Sequence, residues 1–202
     1  MTNFLLIRHG RTDAIDHEFS GRTPGVLLNE RGRFEAQRLA ERMENIPVAA
    51  IYCSPLERAA ETAKAVAANR NMPILPNEAF TEIDCGEWTG RPFDEIKNEP
   101  QFNRFNVFRS CSRPPGGELM LEVQARMISG LEKLLSRHPG ETVVVVSHSD
   151  PIKSAIAYYS GIPMDLAHRL EIGLASVSAI EIGFEAARIH FINNSGELSG
   201  NF

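Results

Sequence analysis

Leu5-Leu6-Ile7-Arg8-His9-Gly10-Arg11-Thr12 and Val143-Val144-Val145-Val146-Ser147-His148 are apolar runs that each stop on a histidine. Strands buried in a parallel sheet read as near-continuous apolar runs, and ligands of open α/β sheets collect beyond their carboxyl ends. Both histidines are therefore expected where a ligand would lie, with Gly10 letting the backbone turn closely around it. A third run, Val48-Ala49-Ala50-Ile51-Tyr52-Cys53, leads into Ser54-Pro55-Leu56-Glu57-Arg58. Here Ser54 reads as a helix N-cap, Pro55 as the first helical residue and Glu57 as the far side of a capping box.

Outward from these junctions, strands alternate with helices. After a loop over 13–28, Asn29 is expected to cap a helix carrying Ala36, Leu39, Ala40 and Met43 at helical spacing. The helix after Ser54 is expected to run to about Ala68, followed by a short strand at 73–76. The segment 77–117 reads as an irregular insertion over the sheet edge, and such loops commonly carry specificity. Within it, Phe102, Phe105 and Phe108 are spaced to place one helical face on the core. A long amphipathic helix is expected over 118–138, with Leu119, Val123, Met127, Leu131 and Leu134 on one face. Asp150 is read as the cap, and Pro151 as the opening residue, of the helix after His148; two late strands are expected at 177–182 and 189–193. The alternation predicts an α/β fold with a mainly parallel sheet, in a single domain over 1–202.

Composition narrows the function. The net charge of −5, with acids and bases interspersed, argues against a nucleic-acid surface, whose footprint is a basic face. No apolar run approaches the ~20 residues of a membrane span, and no signal-peptide pattern opens the chain. Cys53, Cys85 and Cys111 are odd in number and lack metal-type spacing, so a reducing, cytoplasmic setting is expected. No oligomeric state is assigned.

Sheet topology should bring Arg8, His9, Ser54, Arg58 and His148 to one edge, because strand-to-helix junctions of parallel units share that edge. Arg58, one turn into its helix, leans back toward the helix N-terminus. Two guanidiniums, two imidazoles and two helix N-termini suit a phosphoryl group, whose oxygens arginine matches bidentately. A metal centre built from His9, Glu82, His148 and Asp150 lacks familiar spacing, and Arg8 and Arg58 would repel the cation, so no metal and no cofactor are expected. His138, His168 and His190 are read as structural.

Together these residues resemble the histidine phosphatase superfamily, which contains phosphoglycerate mutases and many small phosphatases. The similarity runs through Arg8-His9-Gly10-Arg11-Thr12, Gly21 with Leu28-Asn29-Glu30-Arg31-Gly32, and Ser54-Pro55-Leu56-Glu57-Arg58-Ala59 with Thr62-Ala63. It continues through Glu82-Ile83-Asp84-Cys85-Gly86-Glu87-Trp88-Thr89-Gly90, Pro114-Pro115-Gly116-Gly117-Glu118 and Val146-Ser147-His148. The resemblance implies a three-layer sandwich and a phosphohistidine intermediate on His9, with Arg8, Arg58 and His148 holding phosphoryl oxygens. It implies Glu82 as general acid and then base, with Asp84 and Glu87 as rivals. It also places Ser20, Gly21 and Arg22 beside the phosphate pocket as substrate-binding candidates.

Two positions depart from the family pattern: Ile15 stands where an Asn is frequent, and Ser149 where Gly commonly follows the second His. Mutases of the family typically carry Arg-His-Tyr-Gly after the acid, whereas this chain has Ile83-Asp84-Cys85-Gly86-Glu87-Trp88, which looks like the phosphatase branch. The resemblance thus implies a metal-independent phosphatase acting on a small phosphomonoester. The alternatives are a phosphoglycerate-type mutase, or a catalytically weak phospho-ligand binding protein.

Overall fold

The structure is a computed structural model and describes residues 1–198; residues 199–202 of the expected domain lie outside the described residues. Its centre is a sheet of β1 (Thr2–Arg8), β2 (Ala50–Cys53), β3 (Ile74–Pro76), β4 (Thr142–Ser147), β5 (Val177–Ile182) and β6 (Ala187–Asn194). They lie in the order β3-β2-β4-β1-β5-β6. β1, β2, β3 and β4 are parallel; β5 runs against β1, and β6 against β5. The helices are α1 (Glu30–Arg42), α2 (Glu57–Ala67), α3 (Phe93–Ile96), α4 (Pro100–Val107), α5 (Met120–Arg137) and α6 (Ser149–Ser160). The fold is the expected α/β sandwich with a mainly parallel sheet.

The period of two along each strand explains the three layers. Phe4, Leu6, Val143 and Val145 face one side, against Met127, Leu131 and Leu134 of α5 and Ile152 and Ile156 of α6. Leu5, Ile7, Val144 and Val146 face the other, against Leu39 of α1 and Ala59 and Ala63 of α2. With both faces covered, Val143 to Val146 are fully buried, and each such side chain contributes roughly 1.5–3 kcal/mol.

Register then fixes the site. Arg8 pairs with Ser147 across β1 and β4, and Cys53 pairs with Val146 across β2 and β4. The residues that follow (His9, His148 and Ser54) therefore emerge side by side at the carboxyl edge.

Three helix starts differ from expectation. α5 begins at Met120 rather than 118, with Leu119 in the cap position. α1 is capped by Asn29 as anticipated, its side chain accepting the Gly32 N–H at 2.9 Å. α2, however, begins at Glu57 rather than at Pro55. The Ser54 hydroxyl takes the Leu56 N–H at 3.3 Å but also contacts His148, while the Glu57 carboxylate accepts from Gly25 N–H instead of closing a box. α6 begins at Ser149, with extended His148 in the cap position. Asp150 is not the cap: its carboxylate accepts a 2.7 Å bond from Arg109.

The segment 77–117 is not irregular. It contains 3-10 turns at Glu78–Phe80 and Gly86–Trp88 as well as α3 and α4. Its Trp88, Ile96 and Phe105 pack with Met120 and Val123 of α5 and Ala157 of α6, so it lies against that helical layer rather than over the sheet edge. Phe102 packs against this cluster, but Phe108, just past α4, is exposed.

Candidate active site

β1 delivers His9 into the interior and leaves it almost wholly buried. The turn behind it is locked by close packing. A Cβ on Gly10 would lie 2.6 Å from the Gly32 carbonyl oxygen, and one on Gly32 would lie 2.0 Å from that of Arg11. Gly10 is thus needed for the approach of α1 to the turn. Thr62 adds a second tie, accepting the Gly10 N–H at 3.1 Å while donating to the Arg58 carbonyl at 2.8 Å.

The hydrogen bond of His9 determines its chemistry. Its Nδ1 lies 2.7 Å from the Gly10 carbonyl oxygen. A carbonyl only accepts, so Nδ1 carries the proton and Nε2 keeps its lone pair. Burial, then the Arg58 and Arg8 guanidiniums, hold the pKa of His9 well below its ordinary 6.5. The imidazole is accordingly neutral at pH 7, as a nucleophile must be.

Around it the basic groups converge. Arg58 donates from Nη2 to the Gly21 carbonyl at 2.8 Å, and Arg8 donates from Nη1 to the Ile172 carbonyl at 2.7 Å. The His148 ring stands 5.1 Å from the His9 ring, centroid to centroid. Its Nε2 is 2.8 Å from Ser54 Oγ, and its Nδ1 is 3.9 Å from a carboxylate oxygen of Glu82. Burial, then Arg58, keeps the His148 pKa well below 6.5 as well. Arg8 Nε, Arg58 Nη1 and His148 Nδ1 are buried and without a hydrogen-bond partner among the described residues. Leaving such groups unpaired costs about 1–3 kcal/mol each, so their collection in one place is a built demand for an acceptor-rich anion.

Glu82 closes the site. Its Oε1 accepts the Ile83 N–H at 2.9 Å. Burial and then the Asp150 carboxylate push its pKa up to about 7, against the pull of Arg58 and Arg8. For Asp150 burial acts upward too, but Arg109 outweighs it and keeps that carboxyl below its ordinary range. Two carboxyls thus share the site with opposite protonation tendencies. Of the rivals, Asp84 accepts the Gly86 N–H and Glu87 is exposed, and neither lines the cavity.

The cavity measures about 210 Å³ and includes Arg8, His9, Arg58, Glu82, Ser20 and Gly21 in its walls. Ile15 and Ser149, the two departures from the family pattern, also line it. Arg22 does not. It donates to the Glu82 carbonyl at 2.9 Å and to Glu118 at 2.7 Å, so it supports the loop rather than facing the cavity.

Sequence reasoning missed the rest of that support. Arg126 of α5 donates to the carbonyls of Ala79, Thr81 and Glu82, and Glu118 accepts from both Arg126 and Arg22 and from Asp84 N–H. Burial raises the Glu118 carboxyl, but the Asp84 N–H and Arg126 outweigh it and hold it below its ordinary range. Glu118 ends the Pro-Pro-Gly-Gly block and was visible there; Arg126 sits on a helix face with no motif to mark it.

Comparison with known proteins finds relatives in sequence and in fold. A family model described as histidine phosphatase superfamily (branch 1) matches residues 4–195. Phosphoserine phosphatase 1 of Hydrogenobacter thermophilus is 31% identical over 93% of this chain and 89% of its own length. A bifunctional protein of Mycobacterium tuberculosis is 32% identical over 98% of this chain but 55% of its own, so the chain spans about half the length of that relative. Among solved structures, Bacillus stearothermophilus YhfR superposes with a TM-score of 0.89 at 32% identity, covering 99% of both chains.

Proposed function

The chain belongs to the histidine phosphatase superfamily, and on that premise we propose that it is a metal-independent phosphatase that hydrolyses a small phosphomonoester through a phosphohistidine on His9. The observation that carries this reading is the orientation of His9. With Nδ1 committed to the Gly10 carbonyl, Nε2 is the free nucleophile beside unpartnered Arg8 Nε, Arg58 Nη1 and His148 Nδ1.

In the first step the Nε2 lone pair attacks phosphorus, the bond to the ester oxygen breaks, and the proton of Glu82 passes to that oxygen. A Glu82 pKa near 7 supplies this proton at neutral pH. In the second step water attacks phosphorus while Glu82, now a carboxylate, takes its proton, and the P–N bond returns its pair to Nε2. Arg8 and Arg58 remain cations throughout and stabilise the charge on the equatorial oxygens. His148, kept neutral, donates from Nδ1 to the same group.

The test is p-nitrophenyl phosphate hydrolysis in the presence of a chelator, for wild type and His9→Ala. Chelator-resistant activity that disappears in the variant is expected. Equal rates in both proteins, or activity that a chelator abolishes, would overturn the proposal.

A further inference from the structure

The cavity is chemically lopsided. Among the described residues, Arg8 and Arg58 are the cations that line it, and both are engaged by the phosphoryl group in the function proposed above. The neighbouring arginines lie outside the wall and each has an acidic partner, Arg22 with Glu118, Arg11 with Asp16 and Arg109 with Asp150. The Nε groups of Arg11 and Arg109 nevertheless remain unpartnered among the described residues. The other ionisable side chains in the wall are Glu18, Glu82 and Asp150, all acids. Of these, Glu82 is protonated in the first step proposed above and Asp150 is paired with Arg109. The rest divides between the phosphate end, with His9, Thr12, Ser20 and Ser149, and an apolar set of Ile15, Phe19, Ile83, Cys85 and Phe93.

This apolar wall is preformed. The Phe19 ring meets Phe93 edge-on at 5.1 Å and Phe102 at 5.8 Å, with Trp88 behind at 6.3 Å. Its backbone is pinned on both sides, its N–H to the Arg91 carbonyl and its carbonyl to the Gly90 N–H. A wall already ordered costs little to bind against and rewards burial of apolar surface. A second anion on the substrate would instead lose its water and meet no cation in the wall beyond Arg8 and Arg58.

We infer that the alcohol released here is uncharged and apolar, an aryl or alkyl alcohol that carries neither a carboxylate nor a second phosphate. This rests on the phosphatase reading for the chemistry, but not for the ranking of ligands.

The experiment compares 3-phenylpropyl phosphate, phosphoserine and 3-phosphoglycerate, whose leaving groups are all alkoxides with a comparable need for a proton. kcat/KM is measured on wild type, and calorimetric binding on His9→Ala, which ranks the ligands without turnover. The phenylpropyl ester is expected to lead by about tenfold or more in both. Ile15→Lys, which sets a cation in the wall at a half-buried turn position, should shift that ratio toward 3-phosphoglycerate by about tenfold. Preference of wild type for either carboxylate ester would overturn the inference while leaving phosphatase activity intact. Selective binding of the phenylpropyl ester without hydrolysis of any of the three would sustain the inference and overturn the phosphatase reading.

Discussion

Ser54 Oγ lies 2.8 Å from His148 Nε2, where β2 and β4 end side by side. That hydroxyl also accepts the Leu56 N–H at 3.3 Å and lies 3.5 Å from Thr81 Oγ1. In the reaction proposed above His148 donates from Nδ1, which requires Ser54 to donate to Nε2. In that role Ser54 selects the tautomer that can donate to the phosphoryl group. Ser54→Ala should lower kcat/KM by roughly ten- to a hundredfold, and Ser54→Thr should restore most of it. Nitrogen NMR of the imidazole should show the proton leaving Nδ1 in the Ala variant; an unchanged tautomer would remove Ser54 from this role.

The proton donation proposed for Glu82 gives the pH profile a sign. The first step needs its carboxyl protonated, so kcat/KM on alkyl phosphates should fall as pH rises through about 7. p-Nitrophenyl phosphate, whose leaving group needs no proton, should respond less. Glu82→Gln should cost ~10²–10⁴ on alkyl phosphates and erase the alkaline limb. Wild-type rates from this variant on a poor leaving group would assign the acid elsewhere.

Stability should also depend on these groups, in opposite directions. Glu82 is raised from 4.5 to about 7 on folding, so its contribution is complete below 4.5 and is lost as pH rises through 7. His9 and His148 are held below 6.5, so theirs is complete above 6.5 and is lost as pH falls through their lowered values. Thermal unfolding of Glu82→Gln against wild type from pH 5 to 8.5 should show the variant gaining relative stability with pH. A constant difference across the range would contradict a buried, raised Glu82.

Arg126 holds the backbone that presents Glu82, through three carbonyls at once. Arg126→Ala should lower kcat by about tenfold with little change in KM, because the acid and not the phosphate grip is displaced. It should also move the alkaline limb of the pH profile. Lysine, a point charge without the planar fork, should rescue poorly. A rise in KM alone would place Arg126 in binding instead.

Gly32 offers a purely steric check. A Cβ there would meet the Arg11 carbonyl oxygen at 2.0 Å, backbone against side chain, with nothing flexible to yield. Gly32→Ala should cost about 1–3 kcal/mol or more in urea unfolding and slacken the His9 turn. An unaltered midpoint would mean that α1 does not press on that turn.

Most of the frame was legible along the chain. Fully apolar runs such as 143–146 declare a strand covered on both faces, and a strand that stops on Arg-His or Ser-His declares a loaded sheet edge, because hydropathy period and chain punctuation are local properties. The gathering of Arg8, His9, Arg58 and His148 at one sheet edge was expected from parallel topology, which the alternation of strands and helices already implies, whereas Glu82 was expected only from the family resemblance. What only the tertiary structure decided is how side chains with several options spend them. Ser54 serves His148 as well as its helix, Asp150 pairs with Arg109 instead of capping, and Arg22 turns onto Glu118 rather than into the cavity. For Ser54 and Asp150 the choice is between a neighbour in sequence and a partner tens of residues away. The winner is set by which distant charge or carbonyl packing brings within hydrogen-bonding reach, and no local pattern records that distance.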